Sequence, residues 1–376
     1  MRILYLMTEP LGIGGVQSDL LTLSEDLTKR GHEVHVAAMS GVLLDEIKAK
    51  GARHVEIDFH FRGIFAFVKA VRLLRRCVRE QEIELVAPQS VRSTVVAYFA
   101  LRLLPFGYRV RATARRVPIV TTIHNIHNPI HFRYAGAILE RCADYVIFES
   151  HYERNRLLKS GLDEAKSTVI HSGIDTDRFV PGLRADSLEK RYGLDKETHF
   201  VFGIVARLSE EKGHRYLVEA FRRVVGRMPN ARLMIVGDGP LLDETVRQVE
   251  SLALTGTVIF TGLQRDIPEY LALFDTFVLS STRESFPLAA REAMAAGKAV
   301  IAPRIGGCPE VVDDGVTGYL FESANVGQLA DCMLRLAENG QYLQYGRAAR
   351  ERVERLFSRR SWVDGDEDAY LRWLAK

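Results

Sequence analysis

The sequence is short of cysteine, of net charge and of long apolar runs, and each shortage excludes a class of protein. Its four cysteines are scattered through 376 residues, with no CxxC pair and no metal-ligand spacing. This pattern is typical of reduced thiols and predicts neither a disulfide framework nor a cysteine metal site. A formal net charge of +3, without a base-stacking motif, does not indicate nucleic-acid binding.

No stretch of the sequence is apolar over the length that a membrane-spanning helix needs. The region that comes nearest, residues 95–110, is interrupted by Arg102 and Pro105, so we expect no transmembrane helix. Residues 1–10 enter an apolar strand directly and do not have the layout of a signal peptide. We therefore expect a cytoplasmic protein.

Short apolar segments alternate with amphipathic ones along the whole chain. This alternation predicts an α/β protein with parallel, doubly wound sheets, and the length suits two domains. We expect a first domain over residues 1–178, a linker over 179–198, a second domain over 199–356 and a C-terminal helix within 357–376.

A glycine-rich loop follows the first predicted strand and begins a helix at about Val16. A dinucleotide fingerprint would need a third glycine at position 17, where the residue is Gln17, and the second predicted strand ends without a carboxylate. Both departures weaken the case for an NAD-dependent oxidoreductase. The backbone of Gly14 and Gly15 can still approach a phosphate or a sugar closely.

Residues 280–310 carry the most informative pattern, which predicts a loop, a short helix, a strand and a glycine turn. Pro287 is expected at the first helical position, where the amides of Leu288 and Ala289 would favour a phosphate. Glu284 and Glu292, with seven residues between them, flank this helix start. Carboxylates accept hydroxyl hydrogens, so the pattern fits a phosphate between two polyols, as in a nucleotide sugar. The alternative is that both glutamates are solvated surface residues.

A predicted strand over residues 200–206 is followed by Arg207 and, five positions later, by Lys212. Two cations at a strand end and near a helix start can bind a diphosphate. The alternative is that both cations are exposed and balanced by Glu210 and Glu211.

His124 follows the predicted strand over residues 118–123, at the edge where α/β proteins bind ligands. It is either a ligand-binding residue or a structural hydrogen-bonding residue. We interpret His127 and His131 as structural, and the DxD pattern of residues 175–177 as a chance match to a metal motif.

These features together resemble the retaining glycosyltransferases of the GT-B superfamily, of the family 4 (glycosyl transferases group 1) type. The resemblance rests on the spacing of Glu284 and Glu292, on the Ser-Phe-Pro segment between them, and on GGCPEVVDDGVTGYLF over residues 306–321. It covers nearly the whole chain and is strongest in the second half.

The resemblance implies two Rossmann-like domains that face each other across a deep cleft, with the last helix crossing back to the first domain. It implies transfer of a hexose from a nucleoside diphosphate sugar, UDP-sugar favoured and GDP-sugar as the alternative. The acceptor would be a hydroxyl of a glycan or a lipid-linked acceptor in cell-surface polysaccharide or lipopolysaccharide synthesis. No metal and no cofactor are expected.

The resemblance also assigns roles to residues. Arg207 and Lys212 would hold the diphosphate, Glu292 the ribose, and Glu284 and His124 the transferred sugar. The other residues expected to bind the donor lie on the glycine loop, the segment before the short helix and two strand ends: Gly14, Gly15, Ser285, Phe286, Pro287, Leu288, Ala289, Gly237, Leu263 and Arg265.

Residues 59–80 contain aromatic residues followed by a basic amphipathic helix. Such a helix can lie on an anionic membrane, which would place the enzyme peripherally on the inner face. The alternative is a surface helix with a solvated charged face. A second basic stretch contains Arg102, Arg109, Arg111, Arg115 and Arg116.

Competing functions are a nucleotide-sugar hydrolase or epimerase of the same fold and, with less support, an NAD-dependent oxidoreductase. A non-catalytic sensor of nucleotide sugars is disfavoured because Arg207, Lys212, Glu284 and Glu292 are all present.

Overall fold

A computed structural model describes residues 1–12, 14–103, 116–124, 129–338 and 340–375. Its contacts divide the chain into two compact units. The first unit contains Met1–Ser172 and Arg360–Lys376, and the second contains Gly173–Arg359. The boundary expected at residue 178 thus falls shortly after this division. The whole of the expected linker belongs to the second unit, where it contains the helix Asp186–Tyr192.

The strands of the first unit are parallel, and each follows a short apolar segment. Among the described residues they form a sheet of order β3-β2-β1-β4 and a sheet of order β5-β6-β7, which a parallel bridge between Val86 and Ile119 joins. Their bounds are β1 Arg2–Leu6, β2 Glu33–Ala38, β3 Arg53–Glu56, β4 Leu85–Pro88, β5 Val120–Ile123, β6 Tyr145–Phe148 and β7 Ser167–Val169.

The helices of the first unit cover this sheet with faces set by their apolar periodicity. The third helix, for example, buries Val71, Leu74 and Val78, which recur three and four positions apart on one face. The bounds are α1 Gly15–Lys29, α2 Leu44–Ala49, α3 Ile64–Glu80, α4 Val91–Tyr98, α5 Pro129–Cys142 and α6 His151–Leu158.

The second unit contains one parallel sheet of order β10-β9-β8-β11-β12-β13. The strand order reverses between β8 and β11, which is where open α/β sheets bind ligands at their carboxyl ends. The bounds are β8 Phe200–Val205, β9 Ala231–Val236, β10 Val258–Gly262, β11 Thr276–Val278, β12 Ala299–Pro303 and β13 Gly318–Phe321.

Buried apolar residues form one layer on each side of this sheet, as expected when helices cover both faces. The helix bounds are α7 Asp186–Tyr192, α8 His214–Arg227, α9 Leu242–Ser251, α10 Ile267–Leu273, α11 Leu288–Ala295, α12 Cys308–Val311, α13 Val326–Glu338 and α14 Tyr342–Leu356.

The last helix, α15 (Arg359–Leu374), follows the second unit in sequence but packs in the first from Arg360 onward. Its Trp362, Val363 and Tyr370 belong to the core beside β1, where the Tyr5 and Tyr370 hydroxyls lie 3.4 Å apart. The α/β class with parallel, doubly wound sheets, predicted from the alternation of apolar segments, is confirmed.

Candidate functional site

In the second unit, the predicted donor-binding residues follow the carboxyl ends of neighbouring strands. Arg207 follows β8, Gly237 follows β9, Leu263 follows β10, and the segment with Glu284 follows β11. Since the strands are parallel, their carboxyl ends share one edge of the sheet. A backbone hydrogen bond from Gly237 N to Gly262 O, 3.0 Å long, joins two of these loops.

The loops after β8 and β9 approach each other so closely that one position requires glycine. Gly237 has a φ of +144°, and a Cβ atom there would lie 2.0 Å from the carbonyl oxygen of Ala206. Any larger residue would separate the two loops. The predicted site residue Gly237 therefore shapes the edge of the sheet through its backbone.

Lys212 and Glu284, assigned to different parts of the donor by the resemblance, contact each other directly. Lys212 Nζ donates to Glu284 Oε1 at 2.7 Å, and Ser281 Oγ donates to the same oxygen at 2.7 Å. The Glu284 side chain is only 9% exposed, whereas that of Lys212 is 27% exposed. The ammonium group therefore lies on the more accessible side of the pair.

Backbone contacts fix the loop of Lys212 against the segment after β11. Ser280 Oγ donates to Lys212 O at 2.9 Å. Gly213 has a φ of +64°, and a Cβ atom there would lie 2.2 Å from Ser280 O. On the other side, a Cβ atom on Gly306 (φ +54°) would lie 1.6 Å from Glu284 O. Two glycines thus allow neighbouring loops to pack against the segment that carries Glu284.

The first cation of the predicted diphosphate site, Arg207, is exposed and forms no ion pair with any described residue. The alternative in which Glu210 and Glu211 balance both cations does not describe the structure. Lys212 pairs with Glu284, and the Glu211 carboxylate accepts a hydrogen bond from Ser209 Oγ at 2.6 Å. A cation without a partner at a strand end is suited to bind an anion.

Helix α11 begins one residue later than the sequence suggested. Pro287, predicted at the first helical position, precedes the helix with φ −66° and ψ 108°. Its ψ is extended because Pro287 still belongs to the segment that packs against Gly306 and Gly307. Leu288 and Ala289 then form the first turn, where amides lack intrahelical partners, and no side chain caps them.

Glu292 lies one turn further along α11 and is partly buried. Burial raises the pKa of Glu292 to about 7, although Arg178 and Arg291 oppose this shift. No described residue donates a hydrogen bond to this carboxylate group, which therefore can accept hydrogen bonds from a ligand. The alternative of a fully solvated surface residue is wrong for Glu292.

Ser285 and Phe286, the two residues between Glu284 and Pro287, both pack against neighbouring residues. Phe286 is buried, with the guanidinium of Arg291 4.2 Å above its ring and the ring of Phe357 at 5.5 Å. Ser285 contributes its carbonyl to the close packing of Gly307. Both residues position the start of α11.

The loop after β10 places its side chains at the surface. Leu263 and Arg265 are exposed, and Gln264 Nε2 donates back to Thr261 O at 2.6 Å. Arg178 Nη2 donates to Arg265 O at 3.5 Å. Leu263 therefore presents an apolar side chain at the edge of the sheet.

In the first unit, Gly14 directly precedes α1 and Gly15 is its first residue. A Cβ atom on Gly14 would lie 2.6 Å from Gln17 Oε1, and Gln17 Nε2 donates to Pro10 O at 3.3 Å. Gln17, the residue that departs from the dinucleotide fingerprint, thus closes this loop. Ile13 lies outside the described residues.

His124 is buried, and both of its ring nitrogens have partners. Nδ1 lies 2.8 Å from Glu149 Oε1, and Nε2 lies 2.8 Å from Gln89 Oε1. Burial lowers the pKa of His124, but the carboxylates of Glu149, Asp19 and Asp366 together raise it by more, so the pKa lies above its ordinary value. Sequence reasoning did not identify either partner, because they follow other strands of the sheet.

The predictions for the other two histidines are not tested, because His127 lies outside the described residues and the side chain of His131 is not described. The DxD pattern forms a turn. Asp175 Oδ1 accepts from the amides of Asp177 and Arg178, and Asp175 Oδ2 pairs with Arg359 at 2.8 Å. These contacts account for Asp175 without a metal ion.

Comparison with known protein families assigns both halves of the chain. Residues 13–178 match Glycosyltransferase Family 4, and residues 186–352 match Glycosyl transferases group 1.

Two individual relatives match over most of the chain. The chain is 32% identical over 328 residues to the GDP-mannose-dependent alpha-(1-6)-phosphatidylinositol monomannoside mannosyltransferase of Mycolicibacterium smegmatis, covering 83% of each protein. It is 28% identical over 367 residues to the N-acetyl-alpha-D-glucosaminyl L-malate synthase of Bacillus anthracis, covering 93% of this chain and 91% of that relative.

Among solved structures, HepE of Anabaena in complex with UDP and glucose is similar with a TM-score of 0.81 and 24% identity, over 98% of this chain and 99% of HepE. The likeness extends over both Rossmann-like domains of the GT-B fold. The chain therefore belongs to the family 4 glycosyltransferases, with a group 1 domain in its second half and the GT-B fold.

Proposed function

We propose that this enzyme transfers a hexose from a UDP-sugar, with retention of the anomeric configuration, to a hydroxyl of a glycan or lipid-linked acceptor. Such an acceptor fits a role in the synthesis of a cell-surface polysaccharide or lipopolysaccharide. The observation that carries the proposal is the contact between Lys212 and Glu284, 2.7 Å apart, beside the start of α11. This contact supports the proposal because, in the roles proposed here, Lys212 would bind phosphate and the neighbouring Glu284 would bind sugar hydroxyls.

Departure of the nucleoside diphosphate is the step that these residues would assist. Arg207 and Lys212 supply positive charge, and the amides of Leu288 and Ala289 supply hydrogen-bond donors without a rearrangement. Preorganised donors of this kind stabilise the charge that develops on a leaving group. Because Lys212 is already paired, an incoming phosphate has to share its ammonium group with Glu284.

The two carboxylates would then hold the polyols on each side of the diphosphate. Glu292 would accept hydrogen bonds from the ribose, and Glu284 from the transferred sugar. Gly14 and Gly15 would approach the donor through their backbone, and His124 would contact the sugar. Since both ring nitrogens of His124 already have partners, that contact would use its ring edge or its backbone.

The proposed chemistry uses no protein nucleophile. In retaining enzymes of this type, an oxygen of the donor phosphate is thought to take the proton of the acceptor hydroxyl. The anomeric carbon loses its bond to the diphosphate oxygen and gains one to the acceptor oxygen on the same face. We therefore assign no catalytic base to the protein.

The nucleobase is the least constrained part of the donor. One relative uses GDP-mannose, whereas HepE was solved with UDP. The loop over residues 262–265 would face the base, where the exposed Leu263 offers an apolar surface. We favour uridine, and direct binding decides between uridine and guanosine.

The test is a calorimetric titration of the purified enzyme with UDP, GDP, ADP and NAD, with and without EDTA. We expect tight binding of one nucleoside diphosphate, unaffected by EDTA and weakened by Lys212→Ala and by Glu292→Ala. Exposed Glu250→Gln on α9 is the matched control. The proposed site would be wrong if only NAD binds, or if neither substitution weakens nucleotide binding.

The family assignment favours transfer over the competing hydrolase, epimerase and oxidoreductase functions. The discriminating experiment is product analysis with the donor identified by calorimetry. A glycosylated acceptor with retained configuration supports transfer, whereas free sugar or an epimerised donor with acceptor present would contradict it.

We further propose that the first unit binds anionic membranes through α3. Phe65 is 89% exposed and Ile64 66% exposed at the start of this helix, and Arg72, Arg76 and Arg79 are exposed along it. No helix among the described residues is long and apolar enough to cross a bilayer. In this proposal the enzyme binds the cytoplasmic face of the membrane peripherally, through the apolar start and the arginines of α3.

Of the second basic stretch, only Arg102 and Arg116 are described. Arg102 and Arg116 both pair with Asp144, at 2.7 Å and 3.0 Å, while residues 104–115 lie outside the described ranges. Binding to vesicles of anionic lipid should be lost in added salt and on charge reversal at Arg72, Arg75, Arg76 and Arg79. Binding that survives both treatments would contradict the membrane proposal.

A further inference from the structure

Three buried polar residues occupy the same position after three neighbouring strands of the first unit. Gln89 follows β4, His124 follows β5 and Glu149 follows β6, each as the first residue beyond its strand. A parallel bridge joins β4 to the chain just before β5, and β6 pairs with β5 in parallel. His124 therefore lies between its two partners at the carboxyl edge of the sheet, where all three side chains are buried.

The amide group of Gln89 is oriented by a contact of its own. Its Nε2 atom donates to Ala87 O at 3.1 Å, and a carbonyl oxygen can only accept. The amide oxygen, Oε1, therefore faces His124 Nε2 at 2.8 Å. A reversed amide would bring two acceptor oxygens together at Ala87. Since the amide oxygen also only accepts, Nε2 of His124 must carry a proton.

The other ring nitrogen of His124 faces an acceptor as well. Nδ1 lies 2.8 Å from Glu149 Oε1, and an ionised carboxylate has no donor. Imidazole is a stronger base than a carboxylate, so the proton between the two groups belongs to the ring. A neutral ring would place a nitrogen lone pair against an acceptor oxygen in a buried site, which is unfavourable. Both nitrogens are therefore protonated, and the ring is an imidazolium.

The charged groups around the ring favour the same state. Asp19 on α1 brings a carboxylate oxygen within 4.8 Å of a ring nitrogen of His124. Burial lowers the pKa of His124, but the carboxylates of Glu149, Asp19 and, from α15, Asp366 raise it by more. The pKa of His124 thus lies above its ordinary value of 6.5, as the hydrogen bonds require.

We propose that Glu149 and Gln89 hold His124 as an imidazolium at neutral pH, so that it serves the transferred sugar as a fixed cation and not as a base. Neither nitrogen of such a ring can take a proton from the acceptor hydroxyl. Its C–H groups are polarised and can donate to an oxygen of the sugar. Glu149 and Gln89 are positioning residues that act through His124. The role at the sugar rests on the proposed function, whereas the ionisation state does not.

The first test reads the ring directly, by NMR of the full chain with nitrogen-15-labelled histidine. At pH 8 an ordinary histidine is largely neutral, whereas both nitrogens of His124 should show the closely spaced shifts of an imidazolium. The His124→Gln variant identifies these signals by their loss. A neutral ring, with one protonated and one bare nitrogen, would overturn the proposal.

Neutron diffraction covers the case in which His124→Gln does not fold, because it needs only the wild-type protein. Crystals grown in heavy water at pH 8 should show deuterium on both Nδ1 and Nε2 of His124. Deuterium on a single nitrogen, or on Glu149 Oε1 in place of Nδ1, would contradict the charged ring.

Substitutions of the partners then test the positioning role. In Glu149→Gln the proton affinity of His124, followed by NMR, should fall at least about tenfold with the loss of an adjacent opposite charge. Gln89→Leu should lower it by less, because no charge is removed. Glu46→Gln makes the same chemical change at an exposed site on α2 and should leave the titration of His124 unchanged. An unchanged titration in Glu149→Gln would show that Glu149 does not hold the ring charged.

Calorimetry at pH 8 tests the role at the sugar. Glu149→Gln should weaken binding of the complete UDP-sugar roughly 2-fold to 5-fold more than it weakens binding of UDP, the size expected of a C–H···O contact. The same change for both ligands, beside an imidazolium in the wild-type spectrum, would overturn the sugar contact but not the charged ring. A wild-type protein that binds no nucleoside diphosphate would contradict the proposed function, and the NMR result would still decide the state of His124.

Discussion

Lys212 Nζ lies 2.7 Å from Glu284 Oε1, so a residue assigned to the phosphates and a residue assigned to the sugar are in direct contact. The more buried partner is the carboxylate, which also accepts from Ser281. An incoming diphosphate would therefore compete for the lysine, while the glutamate remains fixed.

This arrangement predicts opposite effects for the two members of the pair. Lys212→Ala should weaken UDP binding by about 10-fold to 100-fold, the loss of a charge-assisted hydrogen bond. Glu284→Gln should leave UDP binding intact or tighter, because it releases the ammonium group, but should weaken binding of the complete UDP-sugar. Calorimetry with UDP and with UDP-sugar checks both; equal losses for the two ligands in Glu284→Gln would contradict the assigned sugar contact.

Nucleotide binding should release a proton from Glu292. Its pKa is about 7 in the folded protein, so near pH 6.5 the carboxyl group is largely protonated. Ribose hydroxyls that donate to it favour the ionised form and lower this pKa. The observed binding enthalpy at pH 6.5 should therefore depend on the ionisation enthalpy of the buffer.

Glu292→Gln provides the control for this proton release, since glutamine does not ionise. The buffer dependence should disappear in that variant and persist in Glu250→Gln. A wild-type enthalpy that is the same in all buffers would show that the ribose does not bind this carboxylate group.

The raised pKa of Glu292 also predicts how stability depends on pH. Because the folded pKa lies above the ordinary 4.5, the contribution of Glu292 to stability is retained below about pH 4.5 and lost as the pH rises to 7. Glu292→Gln should thus increase the free energy of unfolding at pH 8 by on the order of 1–2 kcal/mol, after allowance for partial exposure.

Urea unfolding of the wild type and of Glu292→Gln, at pH 8 and at pH 4.5, checks whether the substitution stabilises the protein as predicted. The difference should shrink at the lower pH, where both side chains are largely uncharged. If Glu292→Gln is less stable than the wild type at pH 8, the predicted stabilisation is wrong.

Gly306 should tolerate no side chain. A Cβ atom there would lie 1.6 Å from Glu284 O, and its φ is +54°. Gly306→Ala should therefore destabilise the protein by about 2–4 kcal/mol and displace Glu284, combining overpacking with backbone strain. Urea unfolding and UDP-sugar affinity measure the two effects.

Gly315→Ala is the matched control for Gly306. Gly315 also has a positive φ, +78°, but a Cβ atom there would meet no other atom within 4 Å. The substitution should cost only the strain, about 1 kcal/mol, and should not change UDP-sugar affinity. Equal effects of the two substitutions would mean that the contact with Glu284 O is unimportant.

The sequence by itself predicted local structure in both units and a donor site in the second. Apolar segments predicted strands over residues 33–38 and 232–236, and the structure has them at Glu33–Ala38 and Ala231–Val236, because period and length depend only on neighbouring residues. The composition of residues 280–310 indicated a site for a nucleotide sugar in the same way. Pro287 was misplaced by one position because the contacts of Gly306 and Gly307, not local propensity, decide where α11 begins.

Only the tertiary structure decided which side chains meet. Lys212 and Glu284 are 72 positions apart, and His124 lies 35 positions from Gln89 and 25 from Glu149. Asp366 reaches the same region as His124 from the last helix. These contacts depend on strand order and on how loops pack at the sheet edge, which the periodicity of a single segment does not contain.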